Sequence, residues 1–329
     1  MALRAIVSRF GEPGVLRIEE FAPRRPRRRT VRVRVTHASV GSTDAAARSG
    51  DYLFQPRPGF VPGYDFVGVL ETVNSAAAQR ELRPGVRVTG CLARMGSYTT
   101  QLDVPPDRLV ALPDALDSAS AAALPLDLVT TELALELARL PRGATIFMQG
   151  VSGSIGALIT QRAVADGMTV VGTASERTRG FAEALGARVV DYHDPDWPAR
   201  VRELTSGGAD ASIDHTGSPL VRSATAHSGT VVRTAWSGRI DAALGGPATI
   251  ARRYAHPRER LCSVPMLVAL HPAKYRQMLQ DDLNRIVDCR LSGPAVTTVP
   301  FSEVVEAHRR LATLPPGHKL VLEMPSGQG

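Results

Sequence analysis

At 329 residues, 43% of them hydrophobic and 22% charged, the chain exceeds one ordinary core and suits two globular domains. No apolar run approaches the roughly 18 residues of a membrane helix. Cys91, Cys262 and Cys289 form neither a metal-type spacing nor an even disulfide framework. The net charge of +7 is almost all arginine, since Lys274 and Lys319 are the only lysines, and is read as composition rather than as nucleic-acid binding.

The start, Met1-Ala-Leu-Arg-Ala-Ile-Val, has a strand pattern and no secretory apolar stretch, so a reducing cytoplasm is expected. Strand patterns at 14–18 and 30–35 flank Arg24-Arg-Pro-Arg-Arg-Arg29, which reads as a solvated hairpin loop. A basic surface would still attract an acidic partner. Alternation continues at 86–89, with turns at Pro62-Gly63 and Pro84-Gly85, and predicts an antiparallel, barrel-like β domain over the first 120 residues. From Asp117 the texture becomes Ala-rich helix, at 118–124 and 131–137. Strands are then expected at 145–149, 169–173, 188–191, 211–214 and 230–234, alternating with helices, which argues for a parallel sheet. The chain closes with a helix at 272–288, a strand at 295–299, a helix at 301–311 and a strand at 319–323.

The most informative stretch is Gln149-Gly150-Val-Ser-Gly153-Ser154-Ile155-Gly156, three glycines at G-x-x-G-x-x-G spacing between an apolar strand and a helix. Glycines there let the backbone turn tightly and approach a pyrophosphate, and the helix N-terminus supplies N–H groups and a positive dipole end.

Further motifs stand in a consistent order. They are Ala38-Ser-Val-Gly-Ser-Thr-Asp44, Arg48-Ser-Gly-Asp-Tyr52, Val61-Pro-Gly-Tyr-Asp-Phe-Val-Gly68, Gly96-Ser-Tyr98, Leu185-Gly-Ala187, Asp191-Tyr192, Asp214-His-Thr-Gly217, Glu306-Ala-His-Arg-Arg310 and Gly317-His-Lys319. With the glycine loop they make nearly the whole chain resemble the zinc-independent quinone oxidoreductase and enoyl reductase-like branch of the medium-chain dehydrogenase/reductase superfamily. The resemblance implies a GroES-like β-barrel substrate domain from residues 1–121 and 265–329, and a Rossmann doubly wound α/β domain at 122–264. It also implies NADPH in the cleft between them and a homodimer, while the lack of a long apolar run and the arginine-rich composition lead to no expected membrane or nucleic-acid partner. Zinc-dependent relatives carry Cys-x-x-Asp and Gly-His-Glu where this chain has Gly41-Ser-Thr-Asp44 and Gly63-Tyr-Asp65, and the four-cysteine lobe is missing, so no zinc is expected.

For the cofactor, Ser175 and Arg177 after the second strand suit a ribose 2′-phosphate, and Tyr192 resembles the tyrosine that packs against it. Glu176 dissents, because a carboxylate would repel a phosphate, although in the family's Ser-x-Arg pattern that side chain commonly points away. Thr130 resembles the threonine near the nicotinamide–phosphate end, but the usual aromatic two residues on is Glu132. Lys319 is either a cofactor-phosphate contact or a surface lysine.

On the substrate side, Tyr52 is either a donor to the developing enolate or an aromatic wall of the cleft. Gly41 stands where quinone reductases usually have asparagine and Ala46 is also small, which points to a wide pocket for a bulky enone such as a polyketide intermediate. The segment 252–260, rich in arginine and holding His256, is either a solvated loop or an anchor for a carrier protein. His215 could face the cofactor, whereas His37, His308 and His318 read as structural. The leading expectation is an NADPH-dependent reductase of a conjugated C=C bond. An NADPH:quinone oxidoreductase and a non-catalytic cofactor-binding protein are the alternatives.

Overall fold

Val31, Val33 and Val35 bury one face of their strand while Arg34 stays exposed, the period-two signature of a half-solvated sheet. The computed structural model describes residues 1–234 and 258–325. The chain divides into two units, Met1–Val129 with Val264–Leu314 and His318–Gly329, and Thr130–Ser263 with Pro315–Gly317. The first unit thus takes in residues 122–129 beyond the boundary expected at 121.

In the first unit, β1 (Ala2–Val7) and β2 (Leu16–Phe21) form an antiparallel pair. A larger sheet contains β3 (Val31–Val40), β4 (Asp65–Leu70), β5 (Arg87–Cys91), β6 (Gln101–Val104) and β7 (Val110–Ala111), each antiparallel to its neighbour. The arginine run at 24–29 is exposed as expected, but it is not a hairpin loop. Its flanking strands do not pair, because β4 takes one edge of β3 and β6 shares the other, leaving β2 to β1.

The second unit is a parallel sheet of β8 (Thr145–Met148), β9 (Thr169–Ala174), β10 (Arg188–Asp191), β11 (Ala209–Asp214), β12 (Thr225–Arg233) and β13 (Glu259–Leu261). Its order, β10-β9-β8-β11-β12-β13, is that of a doubly wound dinucleotide fold. Ile146, Phe147, Met148, Val170 and Val171 are all buried, which explains why these strands read as continuous apolar runs rather than alternation. Phe147 stacks on Trp197 at 5.2 Å between ring centroids, within a cluster that includes Val171, Val201 and Val231.

The chain then returns to the first unit through helices Val264–Leu270 and Pro272–Val287 and strands β14 (Ala295–Pro300) and β15 (His318–Glu323). Strand β15 is parallel to β14 and antiparallel to β3. The helix expected at 301–311 is a 3-10 turn, Phe301–Glu303, followed by an α-helix, Val304–Arg310. Val67, Leu112, Ala121, Ala122, Ala123 and Val321 form a core of this unit. A doubly wound parallel sheet and a mainly antiparallel β domain are therefore both present, as the sequence implied.

Candidate functional site

The apolar run of β8 ends at Met148, and Gly150 turns the chain with φ +72°, a conformation glycine adopts without a Cβ penalty. A Cβ on Gly150 would lie 2.2 Å from His215 Cε1, so the turn is fitted against the residue that follows β11. The Gly150 N–H donates to Thr173 Oγ1 and the Val151 N–H to Thr173 O, both at 3.0 Å, tying the turn to β9. Gly156 serves close packing, since a Cβ there would fall 2.5 Å from Gly150 O and 2.8 Å from Val151 Cα. Gly172 does the same on β9, where a Cβ would meet Val151 Cβ at 2.4 Å. The sequence reading missed it, although a glycine inside a strand signals close backbone approach. Gly153 caps the Ser154–Ala165 helix without a side chain. Gly150, Gly153, Ser154, Ile155 and Gly156 thus share one strand–turn–helix whose positive dipole end suits a diphosphate.

Parallel pairing sets Asp191 of β10 opposite Ala174 of β9, so Ser175–Arg177 and Tyr192 follow at neighbouring strand ends. Ser175 Oγ lies 3.2 Å from Thr178 Oγ1, which receives a 3.0 Å hydrogen bond from Ser152 of the glycine turn. Arg177 is exposed and has no ion pair among the described residues. Glu176 is held by Arg179 Nε at 3.0 Å, and Arg179 also donates to Val189 O at 2.8 Å. This pair offsets the carboxylate that argued against a 2′-phosphate. Arg179 escaped the sequence reading, though Glu-x-x-Arg is the i,i+3 spacing of a helical ion pair. The Tyr192 ring is exposed and rests on His193 with centroids 4.2 Å apart.

Beyond β11, Asp214 is fully buried and accepts from the Thr216 N–H at 2.8 Å, the Gly217 N–H at 3.1 Å and Arg233 Nη1 at 2.6 Å. Arg233 reaches Glu259 as well, Nε to Oε2 at 2.9 Å and Nη2 to Oε1 at 3.1 Å. This ion triad clamps the ends of β11, β12 and β13 and was not legible from spacing. Thr216 also donates to Gln149 Oε1 at 2.7 Å, joining that turn to the glycine turn. Thr130 is buried on the Pro125–Ala138 helix, and Glu132, in place of the usual aromatic, pairs with Arg162 of the Ser154–Ala165 helix. Of the basic segment expected at 252–260, residues 252–257 lie outside the described residues, as do Ser237 and Gly238.

In the first unit, Gly41 opens the Ser42–Ser49 helix, and its N–H donates to Asp44 Oδ2 at 2.9 Å. The other Asp44 oxygen accepts the Gly63 N–H at 2.9 Å. Burial pushes the Asp44 carboxyl up to about 6 despite these hydrogen bonds. Ala46 is half-buried on the same helix. Tyr52 Oη lies 2.9 Å from Tyr64 Oη, the rings meet edge to face at 6.3 Å, and Phe54 packs edge-on against Tyr52 at 5.6 Å. Burial raises the pKa of both phenols, making them weaker acids. The zinc-type positions therefore hold Gly41, which has no ligand atom, and Tyr64, whose hydroxyl is engaged with Tyr52.

Lys319 requires a correction. It is not a surface lysine but is buried, with Nζ 2.8 Å from Asp127 Oδ2 and donating to Ala123 O at 3.2 Å. That internal commitment removes the basis for assigning it to cofactor phosphate. Burial alone would lower the pKa of its ammonium, but Asp127 and Asp65 outweigh this and raise it. Asp65 is buried beside it, accepting from the Leu126 N–H at 3.0 Å and Ser39 Oγ at 3.2 Å, and burial pushes its carboxyl up to about 7. His308 is buried as expected of a structural residue. Among the described residues no group of three or more His, Cys, Asp or Glu is arranged to hold a metal.

The family model "Alcohol dehydrogenase GroES-like domain" matches residues 27–114, and "Zinc-binding dehydrogenase" matches residues 154–255. A quinone oxidoreductase of Pseudomonas aeruginosa is 33% identical over 211 residues, which is 63% of this chain and 64% of that protein. A phenolphthiocerol/phthiocerol polyketide synthase of Mycobacterium tuberculosis is 24% identical over 98% of this chain, but the match spans only 15% of its length. Among solved structures, JamJ enoyl reductase in its apo form superposes with a TM-score of 0.87 at 19% identity, covering 99% of this chain and 100% of that one. Escherichia coli quinone oxidoreductase complexed with NADPH superposes at 0.82 and 20% identity, over 98% and 99%.

Proposed function

Since the chain belongs to the medium-chain dehydrogenase/reductase superfamily, quinone oxidoreductase and enoyl reductase-like, we propose that it is a zinc-independent, NADPH-dependent reductase of a conjugated C=C bond. One observation carries this reading. The glycine turn at Gly150–Gly156 shares a sheet end with Ser175, Tyr192 and an Arg177 that has no ion pair among the described residues, a set matched to a dinucleotide with a 2′-phosphate. The NADPH bound in the Escherichia coli relative supports the same choice.

NADPH, when bound, supplies a hydride to an electrophilic carbon. The helix N-terminus after Gly153 offsets the diphosphate charge, and Ser175 with Arg177 holds the 2′-phosphate. Thr130 belongs to the same cofactor surface. Tyr52 holds a proton at Oη for the enolate that hydride addition creates. Gly41 and Ala46 leave width on that side of the first unit. A bulky enone fits it better than a small quinone, and the end-to-end match with a stretch of a polyketide synthase favours a polyketide-type acceptor, free or on an acyl carrier protein. The cytoplasm and a homodimer belong to the same proposal. An NADPH:quinone oxidoreductase is the second reading, favoured by the Pseudomonas aeruginosa relative.

NADPH oxidation followed by absorbance, with a panel of large enones and simple benzoquinones, separates the two. The first reading expects large enones to turn over faster, with a loss in Tyr52→Phe. Equal rates on benzoquinones would favour the second. Absence of NADPH binding, or stoichiometric zinc in active protein, would remove the proposal itself.

A further inference from the structure

Tyr64 stands where a zinc-dependent relative would carry a histidine, and its backbone is fixed on every side. Gly63 before it has φ +89°, and a Cβ there would strike Ser97 Oγ at 2.1 Å and the Tyr98 ring at 2.4 Å. The Gly63 N–H is bonded to Asp44, its carbonyl accepts from the Gly96 N–H at 2.8 Å, and the Tyr64 carbonyl accepts from the Leu92 N–H at 2.9 Å. Only 4% of Tyr64 is exposed. Its hydroxyl is thus a fixed polar point in the interior, and a buried hydroxyl without a partner is costly. The partner present is Tyr52 Oη, at 2.9 Å, on the loop after the Ser42–Ser49 helix.

We propose that Tyr64 is a positioning residue for Tyr52, donating its hydroxyl proton to Tyr52 Oη and so stabilising the phenolate that forms when Tyr52 gives up its own proton. The inference rests on the reading of Tyr52 as proton donor. While both phenols are neutral, either oxygen can donate to the other. Once the Tyr52 proton has passed to the substrate, Tyr64 alone holds a proton, and the direction of the bond is settled. The new bond is charge-assisted, roughly twice as strong as a neutral one, and a water-poor interior strengthens it further. Neither tyrosine is oxidised or reduced: the hydride comes from NADPH, the proton from Tyr52, and solvent returns a proton to Tyr52 after product leaves. Among the described residues, the charged and titratable groups that act on Tyr52 besides Tyr64 are Cys91 and Asp44. Burial, Cys91 and Asp44 all oppose ionisation of Tyr52, and the bond from Tyr64 is the influence that favours it.

The test is Tyr64→Phe, which keeps the ring and deletes the hydroxyl, compared with Tyr52→Phe and the double variant. A hydrogen bond to a charged group corresponds to a roughly ten- to hundredfold loss. That loss is expected in kcat with KM within about twofold, because the bond strengthens only as charge develops. The alkaline limb of the kcat–pH profile should move upward, and the double variant should be no worse than Tyr52→Phe. Wild-type kcat and pH profile in a folded Tyr64→Phe, beside a slow Tyr52→Phe, would overturn the role of Tyr64 and spare that of Tyr52. Wild-type turnover in Tyr52→Phe would instead overturn the donor reading. If Tyr64→Phe does not fold, 3-fluorotyrosine at position 64 replaces it. The more acidic phenol should shift the limb downward, and an unmoved limb counts against the proposal.

Discussion

Lys319 Nζ lies 2.8 Å from Asp127 Oδ2 in the interior of the first unit, joining two of the separate stretches of chain that build it. Removing one partner of a buried pair leaves an uncompensated charge, which costs about 3–5 kcal/mol. Lys319→Met is therefore expected to lose stability of that order in urea unfolding at pH 7. An unchanged midpoint would refute a charged Lys319–Asp127 pair in the interior.

Asp65 tests the same cluster through pH. Its folded pKa, raised by burial to about 7, lies above the ordinary carboxylate value. The folded state therefore binds its proton more tightly than the unfolded chain, and this group adds stability as pH falls through about 7. The gain is complete near the unfolded value and is lost again on raising the pH. His308, held by burial at about 3, acts in the opposite sense below its unfolded value, so the informative quantity is the difference from Asp65→Asn. Unfolding midpoints at pH 5, 6.5 and 8 should show the wild type gaining on the variant toward acid. Parallel curves would refute the assignment.

Gly150→Ala places a methyl group at φ +72° and 2.2 Å from His215. The left-handed conformation alone costs roughly 1–2 kcal/mol, and the His215 ring must also move. NADPH affinity measured by fluorescence titration should fall roughly tenfold or more, in line with that cost. Retained affinity would show that the cofactor avoids this turn.

Arg177→Ala should raise the KM for NADPH roughly ten- to hundredfold while leaving NADH unchanged, since the lost bonds are to the 2′-phosphate alone. Glu176→Gln should matter little, because Arg179 already neutralises that carboxylate. Equal losses with both cofactors would place Arg177 elsewhere.

The strand–turn–helix at Gly150–Gly156 was legible because its signals are local: a buried strand, glycines where a Cβ has no room, and a helix starting at once. The boundaries of β12 and the hairpin expected at 24–29 were less so, since strand pairing depends on which edges remain unoccupied. The ion pair of Glu176 and Arg179 could have been found from its helical spacing. Asp214, Arg233 and Glu259 could not, because three separate strands bring them together.

By itself the sequence determined the order of strands and helices, the glycine turn and the candidate residues Ser175, Arg177 and Tyr52, because residue type and short-range spacing dictate them. Tertiary structure alone decided that Lys319 faces Asp127 inside the protein and that Tyr64 meets Tyr52. The physical reason is that burial converts a side chain's nature into an obligation to find a partner, and the partner's position is set by how distant segments pack, which no local pattern records.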